Sequence, residues 1–257
     1  VIETGAHTKR VAFDGTRAVG VTYERKGREV TAFAARDVIL ASGAINSPHL
    51  LMLSGVGDAD HLKSHGIEVV AHRPEVGRNM QDHLSIRCMH ASTIQTITDE
   101  LTSIPRSVVA VLRAALFRTG SAAAFPLAGG AFVRTRPELE IPDIQFHFSA
   151  GNLMSIQRKP FAKKATDHTR PDAFMAHACQ LRPDSRGEIT LRSADAAMPP
   201  VIQPNYLSAE SDRLTMRAAF KVARNVMSQP ALAAFSNGEV WPGPDIQADD
   251  EIDSFIA

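Results

Sequence analysis

The chain is 257 residues long, 44% hydrophobic, with 28 acidic side chains balanced by 28 basic ones. That is enough apolar material for one large or two modest domains. The neutral balance leaves no electrostatic footprint for nucleic acid or an anionic membrane surface, and the longest apolar run, Val108 to Phe117, is broken by Arg113 and too short to span a bilayer.

Residues 8 to 34 alternate around the turn dipeptides Asp14-Gly15 and Lys26-Gly27, which predicts an antiparallel meander. Asp37-Val38-Ile39-Leu40-Ala41-Ser42 has the apolar run of a strand buried on both faces of a parallel sheet. Ser47 reads as the N-cap and Pro48 as the first position of a helix that buries Leu50, Leu51 and Leu53. Between strand and helix, Ala41, Ser42, Gly43 and Ala44 carry almost no bulk, which lets a backbone approach a ligand at the carboxyl end of a strand. A tight turn packed with small residues for its own sake is the competing reading.

Asp58 caps a short helix that Gly66 ends, and Ile67 to Val70 reads as a strand. Pro105 to Arg118 is helical in pattern and stopped by Gly120; Gly120 to Gly130 reads as a small-residue loop over an active-site mouth. Residues 141 to 149, 173 to 181 and 186 to 192 read as strands of a largely antiparallel sheet. A helix over 208 to 228 follows, with Ser208 as cap and Leu214, Ala218 and Val222 on one face, ending before Pro230. The acidic start Asp249-Asp250-Glu251 opens a last helix whose Ile252, Phe255 and Ile256 share a face.

Among the ten histidines, His61 and His65 have the i, i+4 spacing of two ligands on a helix, yet Leu62-Lys63-Ser64 lacks the glutamate of the zinc-protease pattern. Both are expected at the surface, and no metal site is expected. His147 reads as a hydrogen-bonded core histidine ahead of a catalytic base. Cys88 and Cys179 fit free thiols in a reducing compartment; a single disulfide is the open alternative.

The whole string from Gly43 to Gly57 resembles, position by position, the second signature of the glucose-methanol-choline (GMC) oxidoreductases: small, small, x, x, Ser, Pro, x, aliphatic, aliphatic, x, x, Ser, Gly, aliphatic, Gly. Val76-Gly77-Arg78-Asn79-Met80-Gln81-Asp82-His83 resembles the family's flavin-side segment, with Met80 in place of leucine. Pro142 to Phe148 is similar to a strand of its substrate domain, and Leu181 to Leu191 with Pro204-Asn205-Tyr206-Leu207 is similar to the choline-dehydrogenase-like branch.

The resemblance implies a mixed α/β (α+β) fold: part of an FAD-domain sheet over residues 1–85 and an antiparallel-sheet substrate domain with helices over 86–257. It implies FAD as cofactor, with Ser42, Gly43, Ala44 and Ser47 at the cofactor and Asn79, Asp82 and His83 near the flavin. Thr8, by register, corresponds to the residue whose backbone contacts the adenine. Capping or turn stabilisation is the plainer role for each polar residue, and for His83 a hydrogen bond that anchors its loop.

No Gly-x-Gly-x-x-Gly turn occurs among the 16 glycines; Gly55-Val56-Gly57 has Asp60 where the third glycine belongs. The family's catalytic histidine is expected beyond Ala257, so no catalytic residue is assigned within the chain. It reads as the interior of a longer enzyme, colourless when isolated, with Val1 inside a strand and both domains incomplete at their outer ends.

The activity implied is oxidation of a primary alcohol to an aldehyde. An FAD-containing hydroxynitrile lyase and an inactive binding module are the alternatives. Choline-type members carry an acidic residue shortly before a Gly-x-Phe; Leu127-Ala128-Gly129-Gly130-Ala131-Phe132 has none, and with one Trp and two Tyr an aromatic cage is disfavoured. A neutral alcohol is therefore expected over choline. Partners are the alcohol and an unassigned electron acceptor, in a cytoplasmic setting or peripheral to a membrane.

Overall fold

The computed structural model describes residues 1–102, 104–123, 127–152 and 172–257. In chain order the elements are β1 (His7–Asp14), β2 (Arg17–Arg25), β3 (Arg28–Phe33), α1 (Gly43–Leu53), β4 (Val56–Gly57), α2 (Ala59–Ser64), β5 (Ala71–His72) and β6 (Ser85–Ser92). Then come α3 (Ile97–Thr102), α4 (Ile104–Phe117), a 3-10 turn (Ser121–Ala123), β7 (Leu127–Val133), β8 (Ile144–Ser149) and β9 (Ala173–Gln180). The chain finishes with β10 (Glu188–Thr190), β11 (Val201–Gln203), α5 (Glu210–Met227), α6 (Pro230–Ala233), β12 (Ser236–Trp241) and α7 (Asp249–Ile256). The fold is mixed α/β, and its contacts divide it into two compact units: residues 1–82 with 185–208, and residues 83–184 with 209–257.

In the first unit the two Gly-containing turns produce the expected meander, β1-β2-β3, antiparallel throughout. A register shift after Thr8 bulges β1 at Lys9, whose ammonium pairs with Glu24 at 2.7 Å. The meander is fastened to α1 through Ser54, whose hydroxyl accepts the Val11 N–H at 2.8 Å and donates to the Leu50 carbonyl at 2.5 Å. Met52, Leu62, Ile189 and Leu191 make a small core, joined by Leu53, Ile67, Val69, Val76 and Met80.

Four expectations for this unit need correcting. Residues 37–41 form no strand, and Ile39 is 86% exposed; a parallel strand requires hydrogen-bonded neighbours, and no described strand lies beside it. The helix begins at Gly43 rather than Pro48, leaving Pro48 inside it. The strand after α2 is Ala71–His72, paired in parallel with Val56–Gly57, rather than 67–70. The 186–192 segment supplies β10, which pairs with β11 in a two-stranded sheet and does not join the larger one. Asp58 caps α2 as expected, accepting the N–H groups of Asp60 and His61 at 3.1 and 2.9 Å.

The second unit is built on an antiparallel five-stranded sheet in the order β12-β6-β9-β8-β7. Strands β8 and β9 match expectation with trimmed ends, while β6 and β12 are additions. On β6, Ile86, Cys88 and His90 are buried and Ser85, Arg87 and Met89 are less so, the period-two signature of a sheet with unequal faces. The expected loop from Gly120 to Gly130 is instead a 3-10 turn and the start of β7, with 124–126 outside the described residues.

Helix α5 covers the sheet with a different face from the one expected. Met216, Ala219, Phe220, Ala223 and Met227 are buried, together with Asp212 and Thr215, whereas Leu214 is 47% exposed. Its cap is Ala209, without a side-chain bond, rather than Ser208. In α7, Ile252 is buried and Phe255 packs on Phe220 and Trp241, in line with the shared apolar face. No helix among the described residues is long and apolar enough to cross a membrane.

Candidate functional site

The small-residue turn opens α1, and its first turn is unusual. Gly43 holds a left-handed φ of +80°, and a Cβ placed there meets no protein atom within 4 Å. Only a residue without a side chain adopts that φ freely, and the space above it is open to a ligand. Ser47 reaches back to accept the Ser42 N–H at 3.1 Å, giving one first-turn donor the partner that the helix cannot supply. Ser42, Gly43, Ala44 and Asn46 are all exposed.

Beside this turn lies a hollow of about 350 Å³ lined by Thr8 from the bulged end of β1, by Ser42 just before α1, by Asn46, His49, Leu50 and Leu53 from α1, and by residues 196–200. His7 braces that last segment through its Nε2 contact with the Ala196 carbonyl at 3.1 Å. Two of the sequence-derived residues, Thr8 and Ser42, thus meet in one cavity. Gly43, Ala44 and Ser47 sit in the adjoining turns of α1 without lining it.

Sequence reasoning missed His49. Its ring is buried, and Nε2 has no hydrogen-bond partner among the described residues. Burial lowers its pKa, with His7 adding to the effect, so the imidazole is neutral at pH 7 and able to donate or accept towards an occupant of the hollow. It occupies an unconstrained position of the signature, so no motif marks it.

Asn79, Asp82 and His83 do not line the hollow. Their segment is a latch on β10: Met80 N–H bonds the Gly187 carbonyl at 3.0 Å, Gly187 N–H returns to Met80 at 2.8 Å, and Ile189 N–H bonds the Gly77 carbonyl at 2.7 Å. Gly77 is required there, because a Cβ would fall 2.1 Å from the Ile189 oxygen. Arg78 pairs with Glu188 across the same junction. Asn79 is exposed in a left-handed turn (φ +61°). Asp82 accepts from the Tyr206 hydroxyl, and that bond, followed by desolvation, pushes the phenol up to about 12. His83 Nε2 meets the Leu181 carbonyl at 3.1 Å, the anchoring bond weighed for it above.

His61 corrects the surface expectation. Its ring is partly buried, stacks edge-on against His65 at 4.9 Å, and accepts the Leu191 N–H on Nε2 at 3.0 Å. Burial, then His65, lowers its pKa. With that lone pair engaged, the pair offers no chelate.

In the second unit Cys88, His90 and Glu239 bring three ligand-type atoms within 4.8 Å of one another, on the α5 side of the sheet. All three are already engaged by protein. Arg224 grips Glu239 through Nε at 2.8 Å and Nη2 at 2.7 Å, His90 Nδ1 meets the Ser236 hydroxyl at 2.8 Å, and Cys88 points its thiol at Glu239. Burial, reinforced by Glu239, pushes the Cys88 thiol up to about 12, which keeps it protonated. Both cysteines are free. Cys88 faces Ala176 across β6 and β9, three residues from Cys179, so the two side chains lie on opposite faces and cannot bridge.

Comparison with known proteins adds the following. Residues 1–85 match the N-terminal model, and residues 183–257 the C-terminal model, of a family described as GMC oxidoreductase. Human mitochondrial choline dehydrogenase is 45% identical over 248 residues, covering 96% of this chain and 40% of that protein. An oxygen-dependent choline dehydrogenase of Staphylococcus aureus is 39% identical over 251 residues, covering 98% and 42%. The chain thus spans about two fifths of the length of these relatives. Among solved structures, a formate oxidase matches with a TM-score of 0.84 at 24% identity, covering 98% of this chain and 48% of that one. The pyridoxine 4-oxidase of Mesorbium loti matches at 0.75 and 22%, covering 98% and 44%. At such identities the structural likeness speaks to the fold alone.

Proposed function

Because this chain belongs to the GMC oxidoreductase family, we propose that it is the part of an FAD-dependent alcohol-oxidising enzyme that builds one end of the cofactor site and a sheet of the substrate domain. The observation that carries this reading is the hollow beside Gly43, lined by Thr8, Ser42 and His49, whose Nε2 has no hydrogen-bond partner among the described residues. Residues fit the group in kind: a bare left-handed glycine for close approach, small residues around it, and an unfilled hydrogen-bonding position on His49.

In this reading the first unit belongs to the flavin domain and the second to the substrate domain. Thr8 and Ser42 hold the adenine end of FAD, Gly43 and Ala44 leave room for its backbone contacts, and Ser47 keeps the turn rigid. Asn79, Asp82 and His83 shape the loop on the flavin side, which the Met80–Gly187 latch fixes in place. FAD, when bound, supplies the two-electron acceptor for the carbinol carbon. The contribution of these residues is orientation and exclusion of water.

A neutral alcohol is favoured on the substrate side by the lack of any carboxylate in Leu127 to Val133. The choline dehydrogenases among the relatives favour the second reading, a quaternary ammonium alcohol.

The test is anaerobic flavin bleaching of the full-length protein with hexanol, benzyl alcohol and choline. Bleaching by at least one alcohol is expected, fastest with a neutral one. No bleaching by any would sink the oxidase reading, and a larger rate with choline would replace the neutral substrate by the cation. Gly43→Val should lower the flavin content at purification; unchanged content removes Gly43 from the cofactor contacts.

A further inference from the structure

The five-stranded sheet has one face under α5, shown by the Gln180 to Asp212 bond at 2.7 Å and the Arg224 to Glu239 pair. On the opposite face the registers place Arg87 (β6) against His177 (β9), His177 against His147 (β8), and His147 against Gly130 (β7). Directly opposed positions bring Cβ atoms to about 5 Å, so these three basic side chains form one continuous row. Gly130 ends the row with no side chain, and a Cβ there would lie 3.1 Å from the Phe146 carbonyl oxygen.

Strands β6 to β9 present no carboxylate on that face among the described residues, and Glu239, opposite His90, belongs to the α5 side. Arg87 is half-buried and has no ion pair among the described residues. The Nε2 atom of His177 is buried without a hydrogen-bond partner among them. Burial first, then Arg87 and His147, drives the His177 pKa down to about 4, so the ring is neutral at pH 7 and Arg87 carries the charge. A half-buried guanidinium beside an unfilled imidazole nitrogen is the pairing that a carboxylate would complete, one oxygen on each.

We propose that Arg87 and His177, flanked by His147, form a binding cradle for a small carboxylate on the face of this sheet away from α5. The binding claim stands on this unit alone. If the alcohol-oxidising reading above also holds, on which this extension rests, the cradle favours an alcohol bearing a carboxylate or no charge and rejects a quaternary ammonium group.

The experiment is calorimetric titration of the full-length protein with acetate, acetamide and tetramethylammonium, with the His177 imidazole followed by NMR. No turnover is needed, so this outcome is independent of the bleaching assay. Acetate should bind saturably, displace the His177 resonances and raise its titration midpoint; acetamide and tetramethylammonium should do neither. Arg87→Gln should weaken acetate at least about tenfold, as expected for one charge-assisted contact, and Arg87→Lys should recover part of it. Equal responses to acetate and acetamide, no saturation, or an Arg87→Gln protein that binds acetate as tightly would each overturn the cradle. Should Arg87→Gln fail to fold, the acetate and acetamide comparison in the unaltered protein decides the matter.

Discussion

The two faces of the five-stranded sheet differ in how their titratable side chains are met. Under α5, the buried Asp212 is met by Gln180 and by the Asp184 N–H at 2.8 Å, Glu239 by Arg224, and His90 by Ser236. On the other face Arg87 and His177 find no such partners among the described residues. The first arrangement is what a finished interior demands, since an unpaired buried polar group costs more than a hydrogen bond returns. The second is tolerable only where water or a ligand completes it. Polar satisfaction, more than polarity itself, separates the structural face from the candidate binding face.

The sharpest way to break this contrast is to spoil the satisfied face. Arg224→Met leaves Glu239 with 9% of its side chain exposed and no counter-charge, and should cost about 3–5 kcal/mol in urea unfolding. Adding Glu239→Gln should restore most of it. Next in size, Asp212→Ala strands two donors on a position 1% exposed and should cost about 2–4 kcal/mol by the same assay.

The pH response probes the other face. The folded pKa of His177 lies near 4 against an unperturbed 6.5, so the folded state binds fewer protons than the unfolded one across that window. Its contribution to stability is complete above pH 6.5 and fades as pH falls towards 4. His177→Gln should therefore flatten the acid side of the stability profile between those values, and an unchanged slope would mean the ring is better solvated than its surroundings indicate. Smallest of all, Arg87→Gln should shift unfolding by no more than about 0.5 kcal/mol, because no partner is lost.

Local chemistry made part of this molecule legible. The meander follows from two turn dipeptides, α2 from Asp58, and the α7 face from Ile252, Phe255 and Ile256. Segment 37–41 was misread because a buried parallel strand is defined by neighbours, and no described strand flanks it. The buried face of α5 was misassigned because Asp212 and Thr215 lie inside it; hydrogen bonding from Gln180 and Asp184 makes an aspartate an interior residue, and apolar periodicity is blind to that. Strand β6 carried a usable signal in the alternation of Ile86, Cys88 and His90.

The sites divide likewise. Thr8 was reachable through its register in the early strand and Ser42 through its place just before the family signature, whereas His49 occupies one of that signature's free positions. Arg87 and His177 are 90 positions apart and acquire meaning only through strand register. No spacing rule along the chain could have joined them.

The reciprocal bonds between Met80 and Gly187 have an architectural corollary. The polypeptide departs from the first unit at residue 82 and re-enters it at 185, within reach of the same clasp. The clasp therefore joins the two ends of a stretch that cannot be exchanged alone, because β12 and α5, which complete its sheet, come from residues 209–257. A graft spliced only at 82 and 185 would strand both.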